Sequence, residues 1–404
     1  MTTSGGFSNA RLERLRNIMS AHVERGDMPG LVWLVSRRGE THVEAVGRLG
    51  FGDSVPMRRD TIFRIASMSK PIAATAAMIL VEECKLCLDD PVDEFLPELA
   101  NRKVLRHLGS ALDDTLPANR AVTLRDLLTF RFGIGAIMEP AGTHPIQTAI
   151  SDAGLAPGPN APSISPDEWM KRLGSLPLIH QPGEQWLYHT GSDAIGVLVA
   201  RATGMTFEAF LQERIFSPLG MKDTGFHVSA EKRIRFATSY KRDPRTGKLI
   251  VYDDPATGRW STPPVFQSGG AGLVSTAGDY LAFCRMMLNK GLYDGPEGPV
   301  RILSRPTVEL MTSDQLTPAQ KADAHLFFGT STSWGFGLAV AIKRENIWET
   351  PGRFGWDGGL GTSGYSDPHE NMVSVLLTQR MMEDPTPPRA FRDFWTASYQ
   401  AIDD

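Results

Sequence analysis

The chain has little cysteine, with three residues in 404, and no excess of positive charge. Three cysteines are typical of a protein from a reducing compartment, where disulfides are rare. A formal net charge of -4 gives no electrostatic reason to expect nucleic acid or an anionic membrane as a partner. The first residues are neither basic nor apolar, and no apolar run reaches the length of a membrane span. We therefore expect a cytoplasmic protein with no nucleic-acid or membrane partner.

Metal-ligand and cofactor motifs are also scarce. Cys84 and Cys87 form a Cys-x-x-Cys pair without a second pair or a nearby histidine, so we interpret them, like Cys284, as small apolar residues packed on helices. The glycine-rich segment 268–276 lacks the third glycine and the parallel-strand unit of a nucleotide-binding loop. The sequence therefore predicts no metal and no cofactor.

The segment Ser67-Met68-Ser69-Lys70 carries the clearest chemical signal. It lies between an apolar run, 62–66, and a helix-forming run, 71–84. Positions three apart share a helix face, so Lys70 would place its amine within reach of the Ser67 hydroxyl. A lysine kept neutral can take the proton of a serine, and amides at a helix start favour the oxyanion of acyl transfer. We interpret Ser67 as a nucleophile and Lys70 as its base.

A second Ser-x-x-Lys, formed by Ser229 and Lys232, shows that the spacing alone is weak evidence. Charged neighbours at 231, 233 and 235 make that copy typical of a solvated helix start. Ser67 instead precedes an apolar helical face, which places it where a core element meets a cleft. That face consists of Ile72, Ala73, Ala76, Ile79 and Leu80.

Hydrophobic periodicity indicates sheet-forming ends and a helical middle. A helix over 9–25 and a hairpin of 31–36 and 41–46 open the chain, and a helix over 388–402 closes it. Late strands are predicted at 334–342, 353–359 and 372–378, and further helices at 71–87, 123–130, 166–174, 190–203 and 206–215. Residues 141–166, rich in Gly, Pro and Ser, are predicted to form a long loop.

This division predicts two domains. A discontinuous α/β domain would comprise 1–72 and 262–404, and a mainly helical domain would comprise 73–261. The seam between them is the natural place for an active site.

Tyr188 is the best candidate for the group that protonates the leaving group. It follows the turn 181–184 and precedes a predicted helix. A phenol beside an ammonium ionises more easily, so a lysine and a tyrosine can share the base and acid roles. Taken alone, a tyrosine in this position is more typical of the core, and its assignment depends on the motifs around it.

Those motifs carry a family resemblance. In their order along the chain they resemble the motifs of class C β-lactamases, penicillin-binding proteins and the related family VIII carboxylesterases, over nearly the whole length. They are Ser67-x-x-Lys70, Tyr188-His189-Thr190 and Gly355-Trp356-Asp357-Gly358-Gly359.

The resemblance implies a β-lactamase/transpeptidase-like α/β (α+β) fold, with an antiparallel sheet flanked by helices and an inserted mainly helical domain. It also implies that Ser67 is the nucleophile, Lys70 its base partner and Tyr188 the acid/base group. The oxyanion hole would be formed by the backbone amides of Ser67 and Gly359.

Two departures from the family pattern bear on the substrate. Trp356-Asp357-Gly358 stands where β-lactamases have Lys-Thr-Gly, as in the esterase branch, and Thr190 replaces the usual asparagine. Loss of the lysine removes a cation for a substrate carboxylate, and an indole favours uncharged esters. Trp356, Gly358 and His189 are therefore candidates for substrate contact, although His189 also fits a surface or capping role. If Trp356 faces the cleft, Asp357 is expected to point away from it.

The sequence therefore predicts a serine hydrolase that cleaves short-chain carboxylic esters, its small-molecule substrates, through an acyl-enzyme on Ser67. Amide hydrolysis, weak β-lactamase activity and acyl transfer share this intermediate and stay open, as does a non-catalytic binding protein. No Gly-x-Ser-x-Gly elbow indicates a histidine-based triad. The oligomeric state is not predicted.

Overall fold

The computed structural model describes residues 2–296 and 298–404. Its helices are α1 (Asn9–Glu24), α2 (Ser69–Glu82), α3 (Leu124–Leu128), α4 (Pro145–Asp152), α5 (Pro166–Ser175), α6 (Thr190–Thr203), α7 (Phe207–Leu211), α8 (Ser217–Leu219), α9 (Ala277–Leu288), α10 (Arg305–Met311), α11 (His325–Phe328) and α12 (Arg389–Gln400). Its strands are β1 (Gly30–Arg37), β2 (Glu40–Gly47), β3 (Phe63–Arg64), β4 (Lys103–Leu105), β5 (Thr115–Pro117), β6 (Ser239–Arg242), β7 (Leu249–Asp253), β8 (Val274–Ser275), β9 (Leu292–Gly295), β10 (Gly298–Arg301), β11 (Thr332–Trp334), β12 (Ala339–Ala341), β13 (Phe354–Gly358), β14 (Thr362–Asp367) and β15 (Met372–Thr378).

The main sheet joins strands from the two ends of the chain. It has seven antiparallel strands in the order β11-β12-β13-β14-β15-β1-β2. Alternate residues of β1 face opposite layers: Val32 packs with residues of α2 and α9, and Trp33 packs with residues of α1 and α12. Both faces of the sheet are therefore covered by helices, which confirms the predicted fold class.

The predicted terminal elements and several predicted helices are present. The first hairpin turns at Arg38 and Gly39, which both have positive φ, and α6 has the predicted bounds. The domain limits at 72 and 262 stay a prediction. The largest apolar cluster contains residues from both parts, among them Val32 of β1 and Leu198 of α6.

Part of the predicted loop over 141–166 is helical, so that prediction was wrong for α4. Pro145 starts this helix, and the Gln147 side chain accepts a hydrogen bond from the His144 amide at 2.9 Å. Ile146 and Ile150, four residues apart, bury one face of it. The later residues 157–159 line a cavity of about 680 Å³.

Three other expectations need correction. Helix α2 ends at Glu82, so Cys84 and Cys87 lie after it and are exposed, whereas Cys284 is buried on α9 as predicted. The strand predicted over 334–342 is two short strands, β11 and β12, separated by a turn. Strand β14 was not predicted, because its sequence Thr-Ser-Gly-Tyr-Ser-Asp has no run of alternating apolar and polar residues.

Within the described residues, no single helix is both long and apolar enough to cross a membrane. Helix α6 and the helical segment 207–219 meet that test only when taken together, and they bend by 83° at their junction.

Candidate active site

Ser67 lies where a short strand turns into a helix. Strand β3 pairs with β8, and the Ile65 amide continues this contact by donating to the Leu273 carbonyl at 3.0 Å. Ala66 then takes a positive φ of 43° and opens a 3₁₀ turn that leads into α2. Ser67 therefore stands at a helix N-terminus, and it lines a cavity of about 680 Å³.

Lys70 lies one helical turn further along and is buried. Its Nζ is 2.9 Å from Ser67 Oγ, 2.6 Å from the Gly270 carbonyl oxygen and 3.2 Å from His189 Nδ1. Burial lowers the pKa of Lys70 to about 7, although the Asp193 carboxylate opposes that change. A large fraction of this amine is therefore uncharged near neutral pH, as a base for Ser67 must be.

Tyr188 covers the other side of the lysine. Lys70 Nζ is 4.5 Å from the centre of the Tyr188 ring, and the Trp356 indole Nε1 donates to Tyr188 Oη at 2.6 Å. Burial raises the pKa of Tyr188, against contacts with the Ser67 hydroxyl and the Trp356 indole. The phenol therefore keeps its proton, and the expectation that Tyr188 ionises more easily beside Lys70 does not hold. Such a phenol can donate a proton.

The end of β13 borders the cavity on the sheet side. Trp356 and Gly359 line it, but Gly358, expected to contact substrate, does not. A side chain at 358 would overlap the Ile65 carbonyl, so Gly358 is packed against the turn before Ser67. The Gly359 amide donates no hydrogen bond to another described residue, and a Cβ at 359 would have no atom within 4 Å. Gly359 is therefore open to a ligand, whereas Gly358 lets β13 pack against the turn before Ser67.

Asp357 points to the opposite face of β13, as the strand alternation predicts. Its carboxylate accepts a hydrogen bond from the Tyr365 hydroxyl at 3.1 Å. The cavity lining also includes residues of that face, where Arg353 stacks on the Tyr365 ring. Arg353 is the one Lys or Arg among the described residues that line the cavity.

His189 is buried, so the surface role considered for it is wrong. Its Nδ1 faces Lys70, and its Nε2 lies 3.2 Å from Asp193 Oδ2. Asp193 was missed by the sequence reasoning. Its spacing of four from His189 at a helix start was the available signal, because residues four apart share a helix face.

The glycine-rich segment before β8 packs against these residues. The Ser192 carbonyl leaves no room for a side chain at Gly269, and a Cβ at Gly270 would lie 2.7 Å from His189 Nε2. Close packing, with the Gly270 carbonyl turned to Lys70, accounts for this motif. Among the described residues, no group of three or more His, Cys, Asp or Glu side chains could hold a metal ion.

The second Ser-x-x-Lys lies outside this site. Ser229 precedes a 3₁₀ turn over 230–235 and donates to Glu231. Lys232 Nζ is 3.0 Å from Asp223 Oδ1, so this lysine forms an ion pair with a carboxylate.

A helix-covered antiparallel sheet, with a serine and a buried lysine one turn apart at the start of α2, is the arrangement of β-lactamase-fold serine hydrolases. Comparison with known families gives the same result. The Beta-lactamase family model matches residues 15–394, and the chain belongs to that family.

Three similar proteins span nearly the whole chain. Protein Rv1367c of Mycobacterium tuberculosis (strain ATCC 25618 / H37Rv) is 38% identical over 368 residues, 88% of this chain and 87% of that protein. Esterase EstB of Burkholderia gladioli is 31% identical over 395 residues, 93% of this chain and 92% of EstB. The solved structure of EstCE1, a hydrolase with promiscuous acyltransferase activity, has a TM-score of 0.79 at 24% identity, covering 96% and 98% of the two chains. That structural likeness supports the fold.

Proposed function

We propose that this protein hydrolyses uncharged, short-chain carboxylic esters through an acyl-enzyme on Ser67. The observation that carries the proposal is the buried Lys70 amine, 2.9 Å from Ser67 Oγ, whose pKa is lowered to about 7 by burial. The relationship to esterase EstB over 93% of the chain supports an ester as the substrate.

Acylation would begin when Ser67 Oγ attacks the ester carbonyl and Lys70 takes the hydroxyl proton. The carbonyl oxygen becomes an oxyanion, which the amides of Ser67 and Gly359 would bind. As the tetrahedral intermediate collapses, the carbon–oxygen bond to the alcohol breaks, and Tyr188 gives its proton to the leaving oxygen. Lys70 then returns a proton to Tyr188, which leaves the lysine neutral again.

Deacylation would use the same groups in reverse. A water molecule takes the place of the alcohol, gives its proton to the Tyr188 and Lys70 pair, and attacks the acyl carbonyl. Ser67 Oγ leaves and regains a proton, so one ester and one water yield one acid and one alcohol.

The cavity supports an uncharged substrate. Tyr188, Phe327 and Trp356 form an aromatic wall beside Ser67, with Tyr188 5.8 Å from Trp356 and 4.9 Å from Phe327 between ring centres. No lysine occupies the place of Trp356, and Arg353 lies on the other face of the strand, against Tyr365. A substrate carboxylate beside Ser67 would therefore lack the cation that offsets its desolvation.

The test is covalent labelling combined with ester kinetics. A fluorophosphonate should label the wild-type protein on Ser67, as mapped by peptide mass spectrometry. Ser67→Ala and Lys70→Ala should lose the hydrolysis of activated esters by about 10³-fold or more. Ser229→Ala, in the second Ser-x-x-Lys, is the matched control and should hydrolyse esters at the wild-type rate.

A label on another residue, or near-normal turnover by Lys70→Ala, would contradict the proposal. An acyl-length series should favour short chains, and a chromogenic cephalosporin should be a poor substrate. Product analysis with competing alcohols and amines separates hydrolysis from acyl transfer, and hydrolysis should dominate.

A further inference from the structure

The Lys70 amine has two hydrogen-bond acceptors besides the serine it would deprotonate. The Gly270 carbonyl oxygen is 2.6 Å from Nζ, and His189 Nδ1 is 3.2 Å from it. A neutral amine has two N–H donors and one lone pair. When the two donors are used by Gly270 and His189, the lone pair is left to face Ser67 Oγ at 2.9 Å.

His189 can accept this hydrogen bond in one tautomer alone, with its proton on Nε2. Asp193 Oδ2 lies 3.2 Å from Nε2 and is the acceptor that selects this tautomer. Burial and the neighbouring Lys70 lower the pKa of His189, which favours a neutral ring. Burial opposes ionisation of Asp193, but hydrogen bonds from His189, Ser268 and the Gly270 amide keep its pKa below the usual value.

The same carboxylate also holds the other acceptor. Asp193 Oδ1 accepts from the Gly270 amide at 3.0 Å and from Ser268 Oγ at 2.6 Å. The Gly270 peptide is thereby oriented with its amide on Asp193 and its carbonyl on Lys70. Both acceptors that direct the lysine amine therefore depend on one buried side chain.

His189 reaches this position through an unusual backbone turn. Its φ and ψ are 85° and -62°, and the Thr190 amide donates to the Tyr188 carbonyl at 3.3 Å, which is the pattern of a γ-turn. A non-glycine residue seldom adopts this conformation, and such strain concentrates at functional sites. Here the turn points Tyr188 and His189 at the same lysine.

We propose that Asp193 and His189 are positioning residues, which hold the neutral Lys70 amine with its lone pair directed at Ser67. This inference rests on the proposed function, since it concerns how the same base is aimed. The titratable groups facing the amine are Tyr188 and His189 from the segment before α6 and Asp193 from α6. The segment 268–272 adds Ser268 and peptide groups, and Asp357 lies on the opposite face of β13.

Three variants test the proposal. His189→Leu removes the acceptor, whereas His189→Asn keeps an oxygen near the Nδ1 position and tolerates positive φ. Asp193→Asn removes the carboxylate charge that selects the His189 tautomer with its proton on Nε2. His189→Leu and Asp193→Asn should lower kcat on an activated ester by roughly 10- to 100-fold, less than loss of the base itself, with little change in KM. His189→Asn should recover much of that loss.

The pH profile separates positioning from a merely structural role. Asp193 raises the pKa of Lys70, so in Asp193→Asn the acid limb of kcat/KM should move to lower pH while the plateau falls. Asp393→Asn is the matched control, because it alters a half-buried carboxylate that contacts the buried His22 in the α1 and α12 layer, 3.0 Å between Nε2 and Oδ2. That variant should leave the acid limb in place.

Wild-type kcat and an unmoved acid limb in Asp193→Asn would overturn the inference. Equal losses in His189→Asn and His189→Leu would also overturn it. If thermal unfolding shows that Asp193→Asn does not fold, the comparison of the two His189 variants is the deciding test. Failure of the proposed function has a different signature, because the wild-type protein would then take no fluorophosphonate label on Ser67.

Discussion

At the residue scale, Trp356 links strand β13 to Tyr188 by a hydrogen bond. Its indole N–H donates to Tyr188 Oη, where the family's β-lactamases have a lysine on the same strand. A neutral donor stabilises negative charge on the phenol oxygen less than a cation does. Trp356 therefore orients Tyr188 while leaving it protonated, which suits a proton donor to an alkoxide leaving group.

Removing that N–H should impair catalysis more than binding. Trp356→Phe keeps an aromatic wall but loses the donor, and we expect about a 5- to 30-fold fall in kcat, equivalent to roughly 1–2 kcal/mol. Trp356→His keeps a ring N–H and should retain more activity than Trp356→Phe. Steady-state kinetics on a small activated ester measures both, and equal activity of Trp356→Phe and the wild type would exclude a catalytic role for this hydrogen bond.

Asp357 should make stability depend on pH. Burial raises the pKa of its carboxyl from 3.8 to about 6, and Oδ1 has no hydrogen-bond partner among the described residues. Between these two values the folded protein holds a proton that the unfolded chain loses, so stability falls as pH rises through that window. Asp357→Asn should therefore have a higher Tm than the wild type at about pH 8, and the gain should shrink towards about pH 4.

Thermal unfolding across that pH range measures the effect. Asp113→Asn, at an exposed aspartate, is the control and should follow the wild-type curve. A constant Tm difference for Asp357→Asn across the range would show that the buried carboxyl does not titrate as described.

Part of the site could be predicted from the residues alone. The Ser67 and Lys70 spacing fixes a shared helix face, and local sequence is enough to find it. The roles of His189 and Asp193 could not be predicted, because they depend on burial, on the γ-turn at His189 and on the packing of α6 against α2. Sequence periodicity contains neither the direction of that turn nor the approach of Gly270.

At the element scale, two neighbouring substitutions at the end of β13 should differ in their effect on stability. Gly358→Ala would force a methyl group against the Ile65 carbonyl and Thr362, so we expect a loss of about 1–3 kcal/mol and reduced activity. Gly359→Ala has free space for its methyl group and should leave Tm nearly unchanged. Its methyl group would narrow the cavity beside Ser67.

Chemical denaturation and an acyl-length series measure this pair. Gly359→Ala should lose activity first on the bulkier acyl groups. Similar stability losses in the two variants would contradict the described packing of β13 against the turn before Ser67.

Helix α4 and strand β14, which were not predicted, show the limits of prediction from local sequence pattern. Helix α4 carried its signals, with Pro145 at its start and two isoleucines four apart, but glycine and proline on either side concealed them. Strand β14 has all six residues buried between β13 and β15. Its two neighbours, more than its own sequence, specify it as a strand.

At the scale of the whole molecule, a buried ion pair connects the turn before Ser67 to the middle of the chain. Arg64 Nε of β3 donates to Asp253 Oδ2 of β7 at 2.7 Å, and the guanidinium lies 3.8 Å from the Phe236 ring centre. Removal of one partner leaves a buried charge uncompensated. Asp253→Ala should therefore lower the free energy of unfolding by about 3–5 kcal/mol.

Urea denaturation measures this loss, with Asp89→Ala as the matched control. Asp89 pairs with Arg125 at 2.6 Å but has 71% of its side chain exposed, so its removal should cost less than about 1 kcal/mol. Equal costs for the two variants would mean that the Arg64 pair does not anchor β3.

The central claim is that Lys70 is an uncharged base near neutral pH, and the pre-steady-state rate of Ser67 acylation tests it most directly. The acylation burst with an activated ester, followed against pH, should rise through a midpoint near the Lys70 pKa of about 7. Lys70→Arg should show no burst, because a guanidinium keeps its proton. A burst rate that is constant from about pH 6 to pH 9, or a Lys70→Arg variant that acylates at the wild-type rate, would contradict the account.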